Sequence, residues 1–211
     1  MVQVYEPEAK IIDTWADFML GAESNTFSQF GEDGLLAALF DRIGTENRWC
    51  FEVGASDGLL YSNTKVLRDK QWSAVLMESS QKLIANLTYV ASMENDSRVV
   101  GVEVGGDVTI DFLLEYAEAP FDMDLGVIDV DGQDYWLWHD MTQFAPRVML
   151  VEYSLRNPTA AVPERGSDRG QAGHNLIVEL GKDKGYRALA LTPCNVLFVR
   201  EDIIKDCDAG K

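Results

Sequence analysis

Two stretches of this 211-residue chain hold residue types whose order suits ligand chemistry. The first is Cys50-Phe51-Glu52-Val53-Gly54-Ala55-Ser56-Asp57-Gly58, an apolar run that passes into small residues and then into a helical pattern. Gly54 and Gly58 let the backbone come close to a ligand, and a helix starting after them offers free N–H groups. Twenty residues after Gly58, Glu78 closes the next apolar run, where a carboxylate can accept hydrogen bonds from two ribose hydroxyls. The second stretch is Leu125-Gly126-Val127-Ile128-Asp129-Val130-Asp131-Gly132, followed one run later by Glu152. Asp129, Asp131 and Glu152 then fall at neighbouring strand ends, a set able to bind a divalent cation, orient a positive ligand or supply a general base. Asp131 or Asp134 can instead cap the helix that follows.

The glycine spacing narrows the ligand. The middle glycine of G-x-G-x-x-G, which makes room for a pyrophosphate, is missing, and there is no G-x-x-x-x-G-K-[ST] phosphate loop. An acidic residue two positions before Gly54 suits a cationic or amine-bearing ligand, and S-adenosylmethionine, with its sulfonium and α-amino group, is of that kind. Methyl transfer to a hydroxyl needs alignment and a proton acceptor. Asp129, Asp131 and His174 are the candidates, His174 because it closes a long loop. His139, between Trp138 and Asp140, reads as structural.

The elements that must position these residues follow from periodicity. Helices are predicted over residues 7–20 and 32–43, the second with Ser28 placed to cap it. Strands are predicted at 49–53, 73–77, 99–104, 125–130 and 148–153, with helices at 62–69, 81–91, 109–117 and 133–144 between them. That alternation is the form of a parallel sheet built from right-handed βαβ units. From 154 to 173 no period holds. This loop sets Arg156, Arg165 and Arg169 against Glu164 and Asp168, and we read it as a lid whose arginines meet an anionic or polyhydroxylated acceptor. A helix over 175–184 and a hairpin of 186–191 with 196–200 close the chain. Trp49, Trp72 and the run Tyr135-Trp136-Leu137-Trp138 read as core.

Composition bounds the rest. With 46% hydrophobic residues the chain can bury a core and reads as a single domain over 1–211. Within it we expect an N-terminal helical segment (1–45), a cofactor-binding core (46–153), the lid loop (154–174) and a closing helix and hairpin (175–211). The 35 acidic residues against 18 basic ones give a net charge of −17, which disfavours nucleic-acid and membrane-surface partners. Cys50, Cys194 and Cys207 show no metal-ligand spacing and read as free thiols of a reducing compartment. With no signal-like start and no stretch of about 18 apolar residues, the expected location is cytoplasmic. Nothing in the sequence marks an oligomeric state.

Several of these strings together resemble one family. Ser28-Gln29-Phe30-Gly31-Glu32-Asp33-Gly34, Phe51 through Gly58, Ser62-Asn63-Thr64, Trp72 through Glu78 and Ile128-Asp129-Val130-Asp131-Gly132 resemble the FkbM-type S-adenosylmethionine-dependent methyltransferases, over roughly residues 28 to 153. The resemblance implies an α/β fold of the class I methyltransferase (Rossmann-like) type, an open, mostly parallel sheet with an antiparallel C-terminal hairpin strand and N-terminal helices. It also implies O-methylation of a saccharide or other small-molecule hydroxyl. By position it places Gln29, Glu52, Gly54, Ala55, Ser56, Asp57, Gly58, Asn63, Glu78, Ser79, Val104 and Asp129 around the cofactor, with Glu78 at the ribose and Asp129 at the reacting face. The family's Asp-x-Glu-Gly is here Asp129-Val130-Asp131-Gly132, one methylene shorter. Glu103-Val104-Gly105-Gly106 offers no side chain suited to the adenine amine, so apolar contact is expected to hold that ring. Two other readings fit the same residues: a metal- or nucleotide-dependent α/β enzyme using Asp129, Asp131 and Glu152, and a binding module that holds the cofactor without turnover.

Overall fold

The computed structural model describes residues 9–157, 159–167 and 169–210. In chain order they form β1 (Lys10–Ile11), a 3-10 helix (Thr14–Met19), α1 (Glu32–Ile43), β2 (Trp49–Val53), α2 (Lys65–Arg68), β3 (Ser73–Glu78) and α3 (Gln81–Ala91). There follow β4 (Ser97–Gly101), α4 (Ile110–Tyr116), β5 (Leu125–Ile128), α5 (Asp134–Asp140), β6 (Val148–Glu152), α6 (His174–Asp183), β7 (Tyr186–Leu191), β8 (Asn195–Arg200) and α7 (Glu201–Asp208).

These strands make one eight-stranded sheet in the order β1-β7-β8-β6-β5-β2-β3-β4. The five strands from β6 to β4 run parallel, and β8 enters antiparallel between β6 and β7. Strand alternation divides the apolar residues between two layers. Phe51, Val53, Val75, Met77, Met149 and Val151 pack against α4, α5 and α6. Cys50, Ala74, Leu76, Val127 and Leu150 face α1, α3 and the 3-10 helix. Trp72 and Trp138 are core residues, Trp138 fully buried against Phe198 and Tyr186.

Where element bounds differ from the periodic reading, a side-chain hydrogen bond or a strand partner decides them. Residues 7 and 8 lie outside the described ones. From there to Leu20 the chain forms no α-helix: Ile11 pairs with Ala190 of β7, and the Asp13 carboxylate accepts the Trp15 N–H to open the 3-10 turn. Gly31, with φ 97°, occupies the α1 N-cap, and Ser28 acts from further out, its Oγ accepting the Asp33 N–H while the Asp33 carboxylate accepts the Ser28 N–H. α5 ends at Asp140 because buried Asp111 captures the N–H groups of Thr142, Gln143 and Phe144. β4 stops at Gly101, opposite Glu78, leaving Val102 and Val104 beyond the sheet.

Candidate functional site

β2 and β5 lie side by side, yet the chain leaves β2 toward β3 and β4 on one flank and β5 toward β6 on the other. The carboxyl ends of two such strands splay their loops apart and leave a crevice. A cavity of about 710 Å³ opens there. Gly54 makes the crossing possible: its φ is 84°, and a Cβ at this position would lie 1.7 Å from the Asp129 carbonyl oxygen. No other residue type fits that approach.

Of the residues expected around a ligand, Gln29, Gly54, Ala55, Ser56, Glu78, Ser79, Val104, Asp129, Asp131 and Glu152 line the cavity. Glu78 is held at the end of β3, its Oε2 accepting the Ser56 N–H at 2.8 Å and its Oε1 the Ser80 N–H at 2.7 Å. Each oxygen keeps a lone pair for a further donor. Met77, Leu83, Val102 and Val104 form an apolar wall beside it.

Five expected residues stand off the cavity. Glu52 alternates onto the same face of β2 as Cys50, where its buried carboxylate accepts hydrogen bonds from Ser62 Oγ (2.8 Å), Thr64 Oγ1 (2.6 Å) and the Asn63 N–H (2.8 Å). Burial raises its pKa, against the opposing charge of Arg68. Asn63 is buried in that loop, and these contacts confine α2 to Lys65–Arg68. Asp57 closes a turn on the N–H groups of Leu59 and Leu60, and Gly58 packs under Leu87 of α3. His174 opens α6 with its ring edge against Tyr153, 5.4 Å between centroids. Leu60, Tyr61 and Ser167 line the cavity without a sequence pattern to mark them, as does Gln133 at the α5 N-cap, which its helical period did not mark as ligand-side. The first three sit in loops, where no periodicity operates.

The carboxylates at the ends of β5 and β6 form a connected group. Asp134, buried at the start of α5, ties the turn by accepting the N–H groups of Val130 and Gly132. Glu152 Oε2 accepts from the Asp131 N–H at 3.0 Å and from Gln171 Nε2 at 2.5 Å. The Glu152 carboxyl also meets that of Asp129, so the two hold a proton between them. Burial, then the charges of Asp129, Asp134 and Asp131, pushes Glu152 up to about 10. Burial and then the charge of Asp134 push Asp129 up to about 7. Among the described residues no group of three or more His, Cys, Asp or Glu side chains is arranged to hold a metal ion, which weighs against Asp129, Asp131 and Glu152 as cation ligands.

This arrangement sets a stability prediction. A carboxyl whose pKa is higher folded than unfolded stabilises the fold fully below its ordinary value, and that contribution is lost as pH rises through the folded value. For Glu152 the window runs from 4.5 to about 10. Glu152→Gln mimics the protonated acid at every pH, so it is expected to be more stable than wild type by roughly 1–3 kcal/mol at pH 8, with the advantage gone by about pH 4. Urea unfolding of both proteins at the two pH values checks this; a variant less stable than wild type at pH 8 would refute the shared proton.

The loop after β6 is fastened to α5. Gln133 bonds the carbonyls of Glu164 and Ser167 and accepts the Gly166 N–H, while Trp136 Nε1 donates to the Pro163 carbonyl. Arg165 lies over the Trp136 ring at 4.2 Å and pairs with Asp140. Of the arginines expected to greet an acceptor, Arg165 is thus turned onto α5, and none of Arg156, Arg165 and Arg169 lines the cavity. No helix among the described residues is long and apolar enough to cross a membrane.

No protein-family model matches the sequence, and no curated protein matches it. Solved structures do match the fold. Magnesium protoporphyrin IX methyltransferase from Synechocystis PCC 6803, with bound S-adenosylhomocysteine, superposes with a TM-score of 0.52 at 14% identity, over 80% of this chain and 81% of that one. A TehB-like S-adenosylmethionine-dependent methyltransferase from Corynebacterium glutamicum gives 0.50 at 12% identity, over 86% and 92%. The methyltransferase domain of citrinin polyketide synthase gives 0.52 at 12% identity over 80% of this chain, which spans about half (51%) of that structure. With its parallel strands and antiparallel C-terminal pair, the chain has the fold of the class I methyltransferases.

Proposed function

We propose that the protein is an S-adenosylmethionine-dependent O-methyltransferase of the FkbM type, acting on a hydroxyl of a saccharide or other small molecule. The observation that carries this is Glu78: a carboxylate locked by two backbone N–H groups, at the end of the strand beside the crevice, with one acceptor site left on each oxygen. That is the donor-acceptor match of a ribose diol. Met77, Leu83, Val102 and Val104 supply the flat apolar contact that suits an adenine. The turn from Gly54 to Ser56 brings bare backbone to the cavity wall for the methionine part. When bound, S-adenosylmethionine supplies a methyl group on a positively charged sulfur. Asp129 stands at the reacting face, where it accepts the proton of the acceptor hydroxyl, with the neutral Glu152 orienting it.

S-adenosylhomocysteine is expected to raise the melting temperature, by the equivalent of about 2.7 kcal/mol at a hundredfold excess over Kd. NAD and ATP are expected to give no shift. Glu78→Ala should weaken S-adenosylhomocysteine by roughly 10- to 100-fold in calorimetry, the effect of losing hydrogen bonds to a charged group. No shift with S-adenosylhomocysteine would end this reading.

A further inference from the structure

Among the described residues two amide side chains line the cavity, Gln29 and Gln133. Gln133 is engaged: its nitrogen donates to the Glu164 and Ser167 carbonyls and its oxygen accepts the Gly166 N–H. The exposed Gln29 amide makes no hydrogen bond within the described residues. Gln29 is also the one lining residue among them that precedes β2, so it reaches the cavity from outside the strand-end loops.

The backbone that carries this free amide is fastened on several sides. Asn25 Nδ2 donates to the Gln29 carbonyl at 3.1 Å, and Asn25 Oδ1 accepts the Gly31 N–H and the Ser28 hydroxyl. Asp33 Oδ2 accepts the N–H groups of Thr26, Phe27 and Ser28. The buried Glu32 completes the arrangement, its Oε2 accepting the Phe30 N–H at 2.7 Å and its Oε1 accepting from Asn195 Nδ2 at 3.2 Å. A buried carboxylate is costly unless donors meet it, and here the donors come from this loop and from the start of β8. Asn195 stands opposite Glu152 in the β6–β8 pair. The loop of Gln29 is therefore tied over the ends of β6 and β8. There, burial and then the charges of Glu32, Asp129 and Glu152 push the Cys194 thiol up, which places all three carboxylates around one point.

This anchor lies far from the ribose end. Neighbouring strands are about 4.8 Å apart, so β8 is roughly 19 Å from β3, where Glu78 stands, and roughly 10 Å from β5, where Asp129 stands. A cofactor with its ribose at Glu78 and its methionine part at the Gly54–Ser56 turn brings its methyl group toward Asp129, and the acceptor then occupies the space over β5, β6 and β8. We propose that Gln29 contacts the acceptor, not the cofactor as the family resemblance implies, and that it reads a second hydroxyl beside the one methylated. This rests on the methyltransferase reading. An amide presents an acceptor and a donor side by side, the complement of one O–H and its neighbour's oxygen, so the acceptor is a vicinal diol. Glu32 and Asn195 are positioning residues, which order the loop before the acceptor arrives.

Calorimetry with S-adenosylhomocysteine separates the two roles of Gln29. Gln29→Ala is expected to keep Kd within twofold of wild type, unlike Glu78→Ala; a tenfold loss overturns the acceptor assignment. The diol is tested with tritiated S-adenosylmethionine and the small-molecule fraction of a source-cell extract, either untreated or first oxidised with periodate, which cleaves vicinal diols, and then quenched. Label is expected from the untreated fraction and not from the oxidised one. Label that survives oxidation overturns the diol and leaves the transferase reading standing; no label from either fraction overturns both. For the labelled acceptor, Gln29→Ala should raise KM roughly 10- to 30-fold, the effect of losing two neutral hydrogen bonds. Glu32→Gln, which sets an NH₂ against the Phe30 N–H or the Asn195 amide, should raise the same KM by less, with S-adenosylhomocysteine affinity kept. A KM within twofold of wild type in Gln29→Ala overturns the contact, and a lowered Tm with KM unmoved in Glu32→Gln overturns the positioning role.

Discussion

Replacing Asp129 with Asn is expected to lower kcat by about 10²- to 10⁴-fold, the range general-base catalysis supplies, while the melting shift given by S-adenosylhomocysteine persists. Asn keeps the shape of the side chain and its hydrogen bond to Glu152 but cannot take a proton. The pH profile adds a second signature. Burial, with the charge of Asp134 next, pushes Asp129 up to about 7. The active form is the carboxylate, so wild-type kcat should rise with pH, roughly tenfold per unit below that value, and level off above it. The Asn variant should lose this limb. Single-turnover methylation between pH 5.5 and 9 measures both; a variant keeping more than a tenth of wild-type kcat would show that the proton leaves by another route.

Arg68→Leu is expected to cost about 3–5 kcal/mol, the effect of stranding a buried charge. That corresponds to a fall in Tm of roughly 6–20 °C for a chain of this size. Arg68 is wholly buried, and its guanidinium joins the β2–α2 loop to Glu94 beyond α3. Nη1 lies 2.6 Å from both oxygens of Glu94, Nη2 donates to the Gly58 carbonyl (2.6 Å) and Ser62 Oγ (3.2 Å), and Nε to Thr64 Oγ1 (3.0 Å). Gly58, Ser62 and Thr64 belong to the loop whose hydroxyls satisfy Glu52. Without Arg68, Glu94 keeps only Lys65, 3.3 Å away, and the buried Glu52 loses the positive charge that opposes its burial. Arg68→Leu combined with Glu94→Gln should recover part of the loss, because it removes one stranded charge. Chemical denaturation of the three proteins decides it; a single-variant loss under 1 kcal/mol would show that the network is dispensable.

The acidic residues show best what was legible in the chain and what was not. A charge of −17 bears on long-range partners, yet gives no hint that many carboxylates are internal fasteners. Asp124, fully buried, accepts the N–H groups of Glu46, Asn47 and Arg48 and pairs with Arg147. Asp111 does the same for the segment after α5, and Asp33 for Thr26, Phe27 and Ser28. For Asp124 and Asp111 the backbone N–H partners are 31 to 78 residues away, so no local spacing signals them. Glu52 illustrates the same point at the site: its place beside the glycine turn is plain in the sequence, but whether its carboxylate faces ligand or loop depends on which face of β2 it occupies.

The sequence by itself determined the strand and helix alternation from β2 to β8, the parallel sheet with its reversed last pair, and the three cavity-lining positions Gly54, Glu78 and Asp129, but not β1, the 3-10 helix or α7. Each rests on a short-range rule: apolar period, turn glycine, polar residue at a strand's carboxyl end. Only the tertiary structure decided which carboxylates are free and which are tied. It left Asp131 open to the cavity, joined Asp129 to Glu152 across two strands and turned Arg165 onto Trp136. It also brought Tyr61 and Ser167 to the same mouth. Charge and hydrogen bonding act through space over a few ångströms, and the fold alone sets which distant residues come that close.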